Sequence, residues 1–255
     1  MCGRFTLATA PQALAELFEL DEVPDLSPRY NIAPTQDAPV VRLVTSEERG
    51  GRPARVLHLL RWGLVPSWAE DPTVGYRMIN ARAETAARKP AYRAAFRRRR
   101  CLVLADGFYE WKTLGRGRKQ PHLCRMKDGR PFAFAGLWER WKGPKDERLE
   151  SCTLLTCQPN ELCAEVHDRM PVILAPGDYD RWLDPELQDA AELEALLAPY
   201  PAGEMVSFPV SPRVGNARLD DPGCVAPLAE EPDHPDGPLF AHAQKRPGSG
   251  EEGPG

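Results

Sequence analysis

Proline and glycine interrupt this chain too often for long helices to be written through it. The 255 residues include 27 prolines and 20 glycines, about 18% of positions against roughly 12% in an average protein. Proline fixes φ and removes a donor, glycine loosens the backbone, and both punctuate turns. Short elements are therefore expected, and a helical bundle is disfavoured. Apolar runs predict strands over residues 39–44, 56–62, 101–105, 108–111, 131–138, 152–157, 171–174 and 205–210. Leu14, Leu17 and Phe18 mark an amphipathic helix over 11–20, and further short helices are predicted over 90–98, 160–166, 178–183 and 190–197. With no internal repeat, these elements describe one α+β domain whose mostly antiparallel, barrel-like β core is flanked by short helices.

The domain is predicted to span residues 1–228. The remaining 229–255 form an acidic Pro/Gly-rich tail, too poor in large apolar side chains to offset its ordering entropy, and are expected to be disordered. No apolar run approaches the roughly 20 residues of a membrane span, and the N-terminus has neither a basic stretch nor an apolar one of signal-peptide type. A cytoplasmic monomer that does not engage membranes is expected.

The formal net charge of −4 resides in the tail, where six acids from Glu230 onward face two bases, leaving 31 charges of each sign elsewhere. Within that balanced body, residues 77–100 hold nine bases (Arg77, Arg82, Arg88, Lys89, Arg93 and Arg97, Arg98, Arg99, Arg100) against one acid, Glu84. A polyanion is the natural partner of such a segment; a solvated helix face is the plain alternative. The tail, opposite in sign, can compete for this segment or simply be inert.

Seven cysteines in a chain without a secretory signal are expected to be reduced, and an odd number cannot all pair. Cys152, Cys157, Cys163 and His167 match no common zinc spacing. No metal or other cofactor is predicted, and apolar-flanked cysteines read as small core residues.

Cys2 is different because it follows Met1. Removal of an initiator Met before a small residue leaves an N-terminal cysteine with a free α-amine, a 1,2-aminothiol. The amine titrates near 7.7–8.0 and the thiol near 8.5. Such an amine forms a Schiff base with an aldehyde, and the thiol can then close a five-membered thiazolidine, an intramolecular step with high effective molarity. An internal cysteine cannot do this, because its nitrogen is an amide. By position alone, Cys2 is also compatible with an incidental second residue.

Seven strings in order change that reading: Met-Cys2-Gly-Arg4-Phe; Arg29-Tyr-Asn31-Ile-Ala-Pro34-Thr; Trp62-Gly-Leu-Val-Pro66-Ser-Trp68; Ile79-Asn80-Ala-Arg82-Ala-Glu84-Thr; Asp106-Gly-Phe-Tyr-Glu110-Trp111-Lys; His167-Asp168-Arg169-Met-Pro171; and Val210-Ser-Pro-Arg-Val214-Gly-Asn216. From Cys2 to about Leu228 the chain resembles the SRAP family, the SOS response-associated peptidases understood as abasic-site processing proteins. The resemblance implies capture of the ring-opened aldehyde of an abasic site in single-stranded DNA as a stable thiazolidine cross-link, formed by the N-terminal cysteine during the DNA-damage response. It also implies a cytoplasmic protein that gathers on the nucleoid, and an autopeptidase activity of the same cysteine.

The resemblance places the catalytic residues at Cys2, Asn80, Glu110 and His167. Glu110, between aromatic residues in a predicted strand, can be desolvated and shuttle protons. His167 can protonate the sugar ring oxygen or a departing hydroxyl near neutral pH. Asn80 can hold the α-amine or a sugar oxygen through its amide. Each also has a plain reading, as a strand-end glutamate, a capping histidine and a loop asparagine. The DNA-contacting set is Arg4, Asn31, Pro34, Trp68, Arg82, Trp111 and Thr156. Arg4 and Arg82 would pair with phosphates, while Trp68, Trp111 and Pro34 would offer flat faces to exposed bases. Trp138 and Trp182 are expected in the core. Two other readings stay open: a thiol-dependent peptidase acting on proteins, which leaves the basic segment unused, and a noncatalytic single-strand binder, which leaves Cys2 unused.

Overall fold

The structure, a computed structural model, describes residues 2–45, 50–144 and 146–228. The predicted tail lies outside the described residues. Among the described residues thirteen strands form two sheets. Strands β3 (Asp37–Val44), β4 (Ala54–Trp62), β6 (Arg100–Ala105), β9 (Phe132–Lys142) and β10 (Arg148–Cys157) close a five-stranded barrel in the order β10-β4-β3-β6-β9 and back to β10. All these pairs are antiparallel except β4 with β10. β5 (Asn80–Arg82) continues the β4 lane along β10, also in parallel. The short strands β11 (Met170–Pro171) and β12 (Ile173–Leu174) add to β10 and β9.

The second sheet is wholly antiparallel. It contains β1 (Arg4–Leu7), β2 (Arg29–Ile32), β7 (Gly107–Thr113), β8 (Lys119–Met126) and β13 (Met205–Pro209), in the order β13-β8-β7-β1-β2. An α+β domain with a mostly antiparallel barrel core is therefore what the residues form.

Aromatic packing joins the sheets. Phe5 of β1 packs edge-on against Trp62 of β4 at 5.1 Å and Phe134 of β9 at 5.9 Å. Phe108 of β7 meets the same Phe134 at 6.0 Å. All four rings are fully buried, and each contributes about 1.5–3 kcal/mol of apolar burial. Phe5 lies three residues from Cys2, so the packing that joins the sheets also fixes the start of the chain at their seam.

The predicted helices form but are shorter: α1 (Pro11–Leu17), α3 (Arg93–Arg98), α4 (Glu161–Ala164), α5 (Tyr179–Leu183) and α6 (Ala190–Glu194), with α2 (Ala83–Ala86) directly after β5. Helix α1 stops early because Glu19 adopts a left-handed φ of 51° and Leu20 then bridges to Arg55. Leu14 and Phe18 are buried while Leu17 is exposed. Strands β1, β2, β5 and β8 were not predicted; their alternation includes Arg, Asn, Lys and Gln, which hides the apolar period, and Pro121 sits inside β8.

Two core expectations divide. Trp182 is fully buried, its indole N–H donating to the Cys101 carbonyl at 3.0 Å. Trp138 is only half-buried, because the guanidiniums of Arg42 and Arg140 lie 4.2 Å and 5.0 Å from its ring centroid. All seven cysteines are buried and unbridged. No helix among the described residues is long and apolar enough to cross a membrane.

Candidate active site

Cys2 is fully buried at the seam, with its thiol directed to the Arg4 carbonyl at 3.6 Å. Burial pushes the thiol pKa well up, and the Glu110 carboxylate adds to the rise. The free thiol is therefore protonated and needs a base before it can attack. Asn80 reaches from the barrel to the other sheet: its Nδ2 donates to the Cys2 carbonyl oxygen at 2.7 Å. Its Oδ1 is buried without a hydrogen-bond partner among the described residues, an acceptor open to an amine or hydroxyl.

Glu110 stands on β7, one residue beyond Tyr109, which pairs with Arg4 of β1. By strand alternation its side chain shares a face with core residue Phe108. It is 2% exposed, and burial raises its pKa to about 7. That value sits near cellular pH, where a carboxyl can both give and take a proton. Asp168 is close enough to raise it further.

His167 follows α4, and its backbone N–H donates to the Cys163 carbonyl at 2.9 Å. Burial lowers its pKa, so the ring is neutral at pH 7. Its Nδ1 accepts the Arg169 N–H at 3.1 Å and lies 2.9 Å from a carboxylate oxygen of Asp168. In the neutral ring the first contact places the hydrogen on Nε2; in the imidazolium, Nδ1–H turns to Asp168. The four residues Cys2, Asn80, Glu110 and His167 thus meet at one seam, tied by the Asn80–Cys2 bond and by the shared field of Asp168.

Sequence reasoning gave no role to the pair that holds the His167 loop. Arg169, buried, grips Glu84 of α2 with two bonds of 2.6 Å and 2.9 Å and also donates to the Thr156 carbonyl at 2.5 Å. Its guanidinium holds the Glu84 carboxyl below the usual carboxylate range. Both residues stood in the quoted strings, but an ion pair spanning 85 positions has no spacing signal.

The residues expected to contact DNA lie in different settings. Trp68 is 64% exposed, on a loop whose neck is clamped where Gly63 and Gly75 meet. Gly63 has φ of 127°, and a Cβ there would lie 2.6 Å from the Gly75 oxygen. Arg82 is exposed. Arg4 is half-buried, donating to the carbonyls of Gly3 and Gly215 at 3.1 Å and 3.2 Å, with no carboxylate partner among the described residues. Pro34 is half-buried in the β2–β3 turn.

Asn31 and Thr156, also expected to contact DNA, are both fully buried. Asn31 spends its Nδ2 on the carbonyls of Val214, Asn216 and Leu219, and Thr156 lies under Arg169. Trp111 faces away from Glu110 by strand alternation and packs on the Tyr109, Val210 and Val214 cluster.

The basic segment is also thinner than its sequence. Arg100 is buried and Arg99 pairs with Glu139 at 2.6 Å, while Arg77, Arg82, Arg88, Lys89, Arg93, Arg97 and Arg98 are exposed. Among the described residues no group of three or more His, Cys, Asp or Glu side chains could hold a metal ion.

The family model described as SOS response associated peptidase (SRAP) matches residues 1–217. The abasic site processing protein YoqW of Bacillus subtilis is 42% identical over 225 residues, covering 87% of this chain and 97% of the relative. The abasic site processing protein HMCES of Rattus norvegicus is 32% identical over 231 residues, covering 78% of this chain and 65% of the relative. A crystal structure of a protein from Bacteroides thetaiotaomicron superposes with a TM-score of 0.78 at 24% identity, over 89% of this chain and all of the other, and so shares the fold. With the matched model covering both sheets and all four seam residues, the chain belongs to the SRAP family.

Proposed function

We propose that this protein captures abasic sites in single-stranded DNA by forming a thiazolidine through Cys2 once Met1 has been removed. The observation that carries the reading is the convergence on Cys2 of an amide clamp, Asn80, and a buried carboxyl, Glu110, with pKa about 7. Relatives named abasic site processing proteins align over most of the chain.

The neutral Cys2 amine attacks the aldehyde carbon of the ring-opened sugar, forming a C–N bond and a carbinolamine. Protonated Glu110 gives its proton to the departing hydroxyl, which leaves as water as the imine forms. The resulting carboxylate takes the proton of the Cys2 thiol, and the sulfur adds to the imine carbon. Because the imine forms as an iminium that keeps one N–H, sulfur addition leaves a neutral ring nitrogen, and the thiol proton returns Glu110 to its protonated starting state. Nε2–H of neutral His167 polarises the sugar oxygen during ring opening. Asn80 fixes the Cys2 carbonyl and offers Oδ1 to the amine. Arg4 and Arg82 hold flanking phosphates, and Trp68 and Pro34 support unstacked bases.

The test is a denaturing gel of protein mixed with an abasic single-stranded oligonucleotide. The parent protein forms a stable band, Cys2→Ala forms none, and Cys2→Ser gives at most a hydrolysable one. An Ala inserted between Met1 and Cys2 keeps the thiol but turns the cysteine nitrogen into an amide, and it abolishes the band. A durable cross-link from that insertion variant would refute thiazolidine formation and point to another nucleophile, such as a lysine.

A further inference from the structure

The hairpin that carries Glu110 ends in a charge cluster unrelated to the 77–100 segment. From residue 111 to 127 the chain has six bases and no acid, and four of them, Lys112, Arg116, Arg118 and Lys119, occupy the end of the β7–β8 hairpin. Register is kept to the tip: Thr113 pairs with Lys119, and the Leu114 N–H donates to the Arg118 carbonyl at 2.7 Å. Residues 113–119 are all exposed, and among the described residues none of the four bases pairs with a carboxylate.

The tip is shaped as well as charged. Arg116 holds φ of 62° and ψ of 26°, followed by Gly117 at φ of 76°. Left-handed backbone costs an ordinary residue about 1 kcal/mol and is usually given to Gly or Asn, yet here it turns an arginine out at the apex. The stem reaches the reactive centre: Lys119 acts on His167 and Lys112 on His122, the residue opposite Glu110. From Glu110 to Leu114 the arm extends about 13 Å at the strand rise of roughly 3.3 Å, the length of about four stacked nucleotides.

We infer that the 112–119 hairpin is a phosphate-binding arm, which clasps the DNA backbone flanking the captured nucleotide from the second sheet while Arg82 and α3 approach from the barrel. This rests on the proposed function for its substrate. Four bases with no carboxylate partner among the described residues carry charge and no base code, so the ligand is the phosphodiester chain itself. The flank is either single-stranded or duplex; the chemistry is the same, and the probes separate them.

The experiment is fluorescence anisotropy of the full chain with oligonucleotides carrying a tetrahydrofuran abasic analogue, which cannot cross-link. One probe has long single-stranded flanks, one has flanks trimmed close to the analogue, and one has its flank made duplex. The Arg116→Asn, Arg118→Gln variant keeps a residue that tolerates the left-handed tip. Its salt dependence on the long single strand should fall by about 1.4 in log–log slope, about 0.7 for each lost phosphate contact. Affinity at low salt should drop about tenfold there and stay unchanged on the trimmed probe. Arg116→Lys, Arg118→Lys should keep the parental slope. A loss confined to the duplex-flanked probe assigns the arm to duplex and also supports it. An unchanged slope on both long probes, or an equal loss on the trimmed one, overturns it. Cross-linking to a reactive abasic strand is scored separately, so failure of the Cys2 chemistry would leave the binding result standing.

Discussion

Asn80 donates to the carbonyl oxygen of Cys2 at 2.7 Å, so a barrel residue locks the end of a segment that belongs to the other sheet. β5 is only three residues long and is held by its parallel pairing with β10, where Asn80 faces Leu154. The position of Cys2 therefore depends on the register of a strand on the opposite side of the seam.

Replacing Asn80 should therefore slow capture more than it weakens the fold. A lost hydrogen bond costs about 1–1.5 kcal/mol, so Asn80→Ala should lower the single-turnover cross-linking rate about 5–15-fold if the whole effect is felt in the transition state. Asn80→Asp should be worse, since it sets a carboxylate against the Cys2 carbonyl. A melting curve and a quenched time course on the same samples separate the two effects, and parental rates for Asn80→Asp would show that the clamp has no part in the reaction.

Arg100 predicts a large structural loss at a position inside a basic run. Its guanidinium donates to the carbonyls of Trp182, Phe96, Arg97 and Leu187 at 2.6 Å, 2.8 Å, 2.7 Å and 2.9 Å, and also to Asp184. A lysine ammonium has three donors at one point and cannot serve this fork. Arg100→Lys should destabilise by about 3 kcal/mol through carbonyls left without partners, while Arg97→Lys, on an exposed site, should fall within about 0.5 kcal/mol of the parent. Urea denaturation measures both, and equal midpoints would refute the burial of Arg100.

That contrast shows where the sequence was readable. Cys2, Asn80, Glu110 and His167 stood out because the motif strings that carry the family resemblance contain them, and the barrel strands because Val, Leu, Ala and Phe runs such as 101–105 have no other good use. A run of four arginines has no period, so nothing in it says that Arg100 turns inward while Arg97 and Arg98 remain outside. The grip of Arg169 on Glu84 was hidden for the same reason, since contact across the fold is not spacing. The burial of Asn31 and Thr156 was hidden in the same way, since a polar residue that serves backbone or guanidinium partners within the fold carries no spacing signal. Trp111 could have been separated from Glu110 by strand alternation alone, once both were placed on one strand.

Glu110 gives the prediction in which stability and chemistry oppose each other. Its folded pKa of about 7 stands above the ordinary value of 4.5 because burial penalises the charge. Below pH 4.5 both folded and unfolded chains hold the proton, and the residue adds no pH dependence. Between 4.5 and 7 the unfolded chain releases it first, so stability falls as pH rises, and above 7 the full penalty is present, about 3 kcal/mol for a shift of this size. Glu110→Gln removes the ionisation. The variant should match the parent near pH 4.5 and be more stable at pH 8 by up to about 3 kcal/mol, while capturing abasic DNA about 10²–10⁴-fold more slowly because no group remains to give a proton to the leaving hydroxyl and take one from the thiol. Thermal melts across pH 4.5–8.5 and single-turnover cross-linking at pH 7 test the two halves together. A variant less stable than the parent at pH 8 would contradict the buried, charge-penalised carboxyl, and one that captures at the parental rate would remove Glu110 from the chemistry.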